Sequence, residues 1–219
     1  MIIVASHDRV DLLEKSLKNL SSIKLNKHEV CIIDTNSTNE EYIKFFEQCK
    51  HQYKDFNFIR LDYTCWDSGA YMYGYLNHFS DKYIFLQDSL LITNKNLIPM
   101  WDNLLDIYDV VPFINFGYFY ENNEQKAWSE ENLKITSSPK DSIFGPVFGV
   151  RRDALDKIPK EWLKYPTSKN EGCGMERRWS LMFHLLGCSK HYIEYTNFSI
   201  NHTIYTSKTN IDKQFFVRL

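Results

Sequence analysis

Residues 2–92 alternate short apolar runs with segments of helical periodicity, and that alternation narrows the possible folds more than any other feature of the chain. Ile2–Ser6 is a first apolar strand, and from Asp8 onward Leu13, Leu17 and Leu20 recur at the spacing of one helix face. His28–Asp34 is a second strand, closed by the turn-forming Thr35-Asn36-Ser37. Thr38-Asn39-Glu40-Glu41 has the form of a capping box, opening a helix with Tyr42, Phe45, Phe46 and Cys49 on its apolar side. Phe56–Leu61 is a third strand, and Asp67 or Ser68 caps a helix running to about Phe79. A fourth strand follows over 83–87, within the apolar run Tyr83–Ile92 that places a single acid, Asp88, at a strand end. Strands and helices in this order build right-handed βαβ units and a mostly parallel sheet.

Ligands of such sheets gather beyond the carboxyl ends of the strands. Ser6–Arg9, Asp34, Asp67 and Asp88 all fall at or just after those ends, so four polar clusters from separate strands are expected to meet in one crevice. An acid at the end of an apolar strand suits a hard divalent cation, which takes oxygen ligands and keeps positions open for phosphate oxygens. It equally suits an ordinary turn. The same choice applies to Asp34, in an Asp-Thr-Asn-Ser turn, and to Asp67, which N-capping alone would explain.

The second half is less regular. A helix is expected over 97–108, a strand over 110–116, a polar surface loop over 121–142 and a strand over 144–152, with Asp153 capping a short helix. Lys169–Gly174 is expected to be a loop opening a helix over 175–186, and the tail from Lys190 to return as a strand before a less ordered segment.

Composition removes several functions. A net charge of -2, with basic residues scattered, gives no field for nucleic acid or an anionic membrane. No apolar run is long enough to span a bilayer, and the apolar part of residues 1–6 is too short for a signal peptide. Five cysteines, none in C-x-x-C spacing, argue for reduced thiols in a cytoplasmic protein rather than a zinc or redox site. Asn197-Phe198-Ser199 and Asn201-His202-Thr203 match glycosylation sequons, which carry no weight without a secretion signal. The glycine-rich fingerprints of dinucleotide and P-loop folds are absent, and so is the G-x-S-x-G elbow. Aromatic residues make up 16 % of the chain, and Trp66, Trp162 and Trp179 could pack in the core or stack on sugar faces.

The chain resembles the GT-A glycosyltransferases, in particular the family 2-like group, and is similar to the small GT-A domains of large algal viruses. The resemblance runs in order through Val4-Ala5-Ser6-His7-Asp8-Arg9, Ile32-Ile33-Asp34-Thr35-Asn36-Ser37 and Asp67-Ser68-Gly69-Ala70. Leu86-Gln87-Asp88-Ser89 stands at the place of the family's D-x-D metal motif, with Gln87 and Ser89 around one acid. Gly145–Arg152 resembles the donor-side strand, and Gly174-Met175-Glu176-Arg177-Arg178-Trp179 the acceptor-side acidic motif, where Glu-Asp would be usual.

The resemblance implies one GT-A domain over 1–219, with a nucleotide-binding half over 1–92 and an acceptor-side half with the C-terminal segment over 93–219. It implies transfer of a sugar from a UDP-sugar to a glycan or glycoprotein hydroxyl, with inversion. Ser6, His7, Arg9, Asp34 and Asp67 would bind the nucleotide, and Asp88 with His202 would hold Mn2+ or Mg2+. His191 competes with His202 as the histidine ligand. Glu176 would be the catalytic base, unless it serves only the helix dipole or pairs with Arg177, and Glu171 is the reserve. The expected location is the cytoplasm, in a virus-infected host cell if the viral likeness holds. Two other readings stand beside this one: a glycan- or nucleotide-binding GT-A-like domain without turnover, and a sugar-phosphate nucleotidyltransferase. The latter would need a glycine-rich basic loop after the first strand, where Ser6-His7-Asp8-Arg9 stands instead.

Overall fold

A computed structural model describes residues 1–92, 94–115, 123–134, 143, 147–195 and 211–213. Its centre is a six-stranded sheet, with a wholly buried strand in the protected middle. Strand β1 (Ile2–Ser6) is buried at all five positions, which suits a strand covered on both faces. It lies between β2 (Val30–Asp34) and β4 (Lys82–Gln87), with β3 (Phe56–Arg60) outside β2; these four strands are parallel. Beyond β4 the sheet continues with two strands named from later in the chain, β8 (Phe148–Arg151) and β6 (Val110–Pro112), in the order β3-β2-β1-β4-β8-β6. β8 runs antiparallel to both of its neighbours. Short strands β5 (Leu90–Ile92) and β10 (Ile211–Lys213) pair with each other, as do β7 (Ile114–Asn115) and β9 (Glu194–Tyr195).

Alternate side chains of the sheet feed two separate cores. Ile2 and Val4 pack with α1 (Val10–Ser22), α2 (Glu40–Gln52) and α4 (Leu97–Leu105) through Leu13, Leu17, Phe46 and Trp101. Ile3 and Ala5 face α3 (Trp66–Asn77) and α7 (Lys169–Leu185) through Tyr71, Met72, Trp179 and Phe183. α3 lies close on β1: a Cβ added to Gly74 would come within 2.2 Å of the Ile3 side chain. Two further helices, α5 (Asn123–Leu133) and α6 (Arg152–Leu155), complete the described elements, with a 3-10 turn at Lys160–Trp162.

Several boundaries differ from expectation. α1 begins at Val10 rather than Asp8, because Asp8 takes a left-handed backbone with φ 54° that ends the strand without entering the helix. Asn39, not Thr38, caps α2, accepting from the N–H groups of Glu41 and Tyr42. Asp67 and Ser68 lie inside the first turn of α3, behind Cys65 at the cap. The polar stretch expected as a loop contains α5. The expected loop at 169–174 is helical: Ser168 accepts from the N–H of Glu171, and the Glu171 carboxylate takes the N–H and hydroxyl of Thr167 at 2.6 and 2.9 Å.

Candidate active site

The carboxyl ends of β1, β2, β3 and β4 open on one edge of the sheet, and the polar residues expected there do meet. Two strained turns aim them. Asp8 and Asn36, after β1 and β2, both have left-handed φ, which Asp and Asn tolerate better than most residues. The Asp8 carboxylate then accepts from the N–H groups of Thr38 and Asn39 at 2.8 and 2.9 Å, and its own N–H donates to Ser37 Oγ at 2.8 Å. One loop is thereby tied to the other. Burial works against the Asp8 charge, but the N–H groups of Asn39 and Thr38 prevail and hold the carboxyl below its usual range.

A carboxyl lowered in the folded state stabilises the fold above its unfolded pKa and loses that contribution as pH falls through the folded pKa. Asp8→Asn keeps the backbone tolerance and one acceptor but removes the charge, so it is expected to cost about 1 kcal/mol near neutral pH. The gap from wild type should narrow only below the unfolded value of about 3.9, as acidification to about pH 2 carries wild type down through its lowered folded pKa. Urea unfolding at both pH values measures it.

Asp34 is fully buried at the end of β2. Its Oδ1 accepts from the Ser37 N–H and hydroxyl at 3.1 and 2.5 Å, and its Oδ2 from Arg60 Nε at 3.1 Å. Burial pushes its pKa up against those partners. Arg60, from the end of β3, also donates to the Ser37 carbonyl at 2.8 Å. His7 stands beside this group, its Nδ1 3.3 Å from Thr35 Oγ1 and its ring 6.4 Å from that of Trp66. The Arg9 guanidinium lies across Asp11, with two contacts of 3.1 Å, and also draws on the charge of Asp88.

Asp88 follows β4 directly and is 7 % exposed. Its N–H continues the ladder to the Ala5 carbonyl at 3.0 Å, and its Oδ2 accepts from Ser6 Oγ at 2.6 Å. The Ser6 hydroxyl thus faces Asp88 inside the protein rather than the open crevice. Burial pushes the Asp88 carboxyl up to about 7, against the Ser6 hydroxyl and with help from the charge of Asp67. Asp67, at the start of α3, accepts a short hydrogen bond from Gln87 Nε2. Gln87 therefore occupies a strand-end position as the partner of one acid and the neighbour of another.

Glu176 comes to the same place from the other half of the chain. α7 packs on the start of α3: a Cβ on Gly172 would stand 3.0 Å from the Trp66 ring, and Trp179 Nε1 donates to Ser68 Oγ at 3.1 Å. Glu176 lies between those two positions at helical spacing, on the face turned to α3. The buried Tyr71 hydroxyl, which donates to the Leu86 carbonyl at 2.9 Å, is held in its neutral form first by burial and then by the charges of Asp67, Glu176 and Asp88. Asp67, Glu176 and Asp88, from α3, α7 and the end of β4, thus all lie near enough to Tyr71 for their charges to act on it.

The other candidates separate from this group. Glu171 is engaged in capping α7 through Thr167, as described above. His191 lies against the start of β6, its ring stacked on Tyr108 at 4.8 Å, at the opposite edge of the sheet from Asp88. His202 lies outside the described residues. Trp179 is in the core, whereas Trp66 sits half-buried at the crevice with an indole N–H that has no hydrogen-bond partner among the described residues. A shallow depression of about 530 Å3 between α1 and α2, lined by Glu40, Lys44 and Phe45 among others, includes none of the three acids.

Among the described residues no three His, Cys, Asp or Glu side chains form a ready-made metal cage. The donor chemistry nonetheless suits a hard cation. Asp67 and Asp88 raise each other's energy when both are ionised, and a cation that takes part of its shell from phosphate and water needs few protein ligands.

Sequence residues 1–160 match the family model for Glycosyl transferase family 2. The six-stranded sheet has the GT-A fold, and the chain belongs to Glycosyl transferase family 2. No curated protein matches the sequence. Among solved structures, it is similar to the mannosyltransferase PcManGT from Pyrobaculum calidifontis in complex with GDP-Man and Mn2+, with TM-score 0.61, 12 % identity, and cover of 87 % of this chain and 53 % of that one. GalNAc-T7 with UDP, GalNAc and Mn2+ gives TM-score 0.62 at 12 % identity, covering 90 % and 43 %. S. aureus TarS 1-349 gives 0.56 at 14 % identity, covering 90 % and 59 %. The chain therefore spans roughly half the length of these neighbours, and the likeness is one of fold. Among the described residues no helix is long and apolar enough to cross a membrane.

Proposed function

We propose that this glycosyltransferase moves a sugar from a UDP-sugar to a glycan hydroxyl, with inversion and with Mn2+ or Mg2+ bound to the diphosphate. The observation that carries the reading is the placement of Asp88 at the end of β4 beside Asp67, which is bonded to Gln87, with α7 and its Glu176 packed on the start of α3. Asp88 is the metal ligand from the described residues, with His202 proposed as a second from the C-terminal segment. The bound ion would stabilise charge on the departing diphosphate. Asp34 and His7 take the base and ribose, Arg9 swings from Asp11 to the phosphates, and Asp67 holds the donor beside Gln87. Ser6 contributes through Asp88. Glu176, half-buried on α7, accepts the proton of the acceptor hydroxyl as that oxygen attacks the anomeric carbon.

Manganese is favoured because two of the structural neighbours carry it with nucleotide ligands. Those neighbours differ in base, GDP in one and UDP in the other, so the donor class needs its own test. The five cysteines, all among the described residues, form no disulfide, which suits a reducing compartment, and we place the protein in the cytoplasm. A binding domain without turnover is the second reading, favoured by Gln87 and Ser89 flanking a single acid. Nucleotide release from panels of UDP- and GDP-sugars, with Mn2+ or a chelator, separates these. Metal-dependent release from UDP-sugars alone is expected; binding without release from any donor would favour the second reading.

A further inference from the structure

One buried hydroxyl at the site has no part in the chemistry above. Tyr42, fully buried on α2, donates its phenolic proton to Ser6 Oγ at 2.6 Å, and Ser6 donates to Asp88 Oδ2 at 2.6 Å. The chain Tyr42–Ser6–Asp88 joins α2, the end of β1 and the end of β4 over 36 and 82 residues of sequence. Its direction is fixed. A serine hydroxyl has one proton, and with Tyr42 donating into its oxygen, that proton is left to point at the carboxylate. Burial keeps the phenol protonated, so Tyr42 remains a donor across the working pH range. A rotating Ser6 hydroxyl would offer Asp88 a partner only part of the time.

We propose that Tyr42 is a positioning residue for the reaction: through Ser6 it fixes the Asp88 carboxylate as an oriented oxygen donor for the divalent cation. The inference rests on the reading of Asp88 as a metal ligand. The packing role of Tyr42 is separable from this one, because its ring stacks on Phe46 at 5.9 Å, and Phe46 in turn meets Phe58 edge-on. Tyr42→Phe keeps that ring and removes only the donor.

The test is a Mn2+ titration of the full chain at fixed UDP, with free Mn2+ read from its paramagnetic resonance signal, for wild type, Tyr42→Phe and Asp88→Asn. Loss of an outer partner of a metal ligand weakens metal binding by about ten- to a hundredfold, and Tyr42→Phe should raise the half-saturating Mn2+ about tenfold. UDP binding in the absence of metal should stay at the wild-type level, a split that general loosening of the core would not produce. If Asp88→Asn abolishes Mn2+ binding while Tyr42→Phe stays within about twofold of wild type, Tyr42 is core packing and the inference is overturned. If Asp88→Asn binds Mn2+ as wild type does, the metal assignment itself falls and takes the inference with it. Should Tyr42→Phe fail to fold, Ser6→Ala breaks the same link. It must then show the weakened Mn2+ binding, with Ser6→Thr restoring it; unchanged binding in Ser6→Ala overturns the inference.

Discussion

Asp88→Asn is expected to lower sugar transfer by about a hundred- to a thousandfold, the loss typical when one charged group that stabilises a departing anion is removed. The fold should not suffer. Asparagine has the same shape, and its Oδ1 can still accept the Ser6 hydroxyl that now lies 2.6 Å from Asp88. Burial pushes the Asp88 carboxyl up to about 7, so its charged form is a burden on the folded protein. A neutral amide lifts that burden, and the variant should melt at or above the wild-type temperature when metal and nucleotide are absent. Activity and stability moving in opposite directions is the mark of a residue held for chemistry. An equal fall in both would make Asp88 a structural acid. Transfer rates and thermal melts of the two proteins decide between them.

Glu176→Gln should lower kcat by about a hundred- to ten-thousandfold, the range that general bases supply, with little change in the KM for the donor. Glu171→Gln, five residues earlier on the same helix, provides the contrast. Its carboxylate holds Thr167 at the N-terminus of α7, so the amide should cost about 1 kcal/mol of stability and leave turnover near wild type. If the two variants exchange these behaviours, the base has been misassigned. Steady-state kinetics with donor and acceptor varied separately, together with urea unfolding, give the answer.

The parallel half of the sheet was legible because β1 and β2 are buried throughout and β4 at all but its two end residues, so Ile2–Ala5, Val30–Ile33 and Tyr83–Leu86 read as apolar runs. The convergence of Ser6, Asp34, Asp67 and Asp88 followed from the topology, since strand ends of a parallel sheet share one edge. Which way each side chain turns did not follow. Ser6 and Asp34 point into partners brought by the tertiary fold, Tyr42 and Arg60, and no local pattern marks Tyr42 as anything but a core position of α2. Ser168-Lys169-Asn170-Glu171 is a legible capping signature, and its recognition would have moved the start of α7 and removed Glu171 from the candidate bases. Asp8 shows the opposite limit. Its place near a helix start suggests a cap for its own helix, yet its carboxylate accepts from Thr38 and Asn39, the two residues just ahead of α2, across the turn from β2.

The most direct test of the account is thermal melting of the wild-type chain with UDP or GDP, each with and without Mn2+. A ligand that binds only the folded state must raise the melting temperature. A rise with UDP that Mn2+ enlarges is expected, and the Mn2+-dependent part should disappear in Asp88→Ala. A rise with GDP alone would keep the crevice but change the donor class, and no rise with either nucleotide would contradict the assignment of this crevice to a nucleotide-sugar.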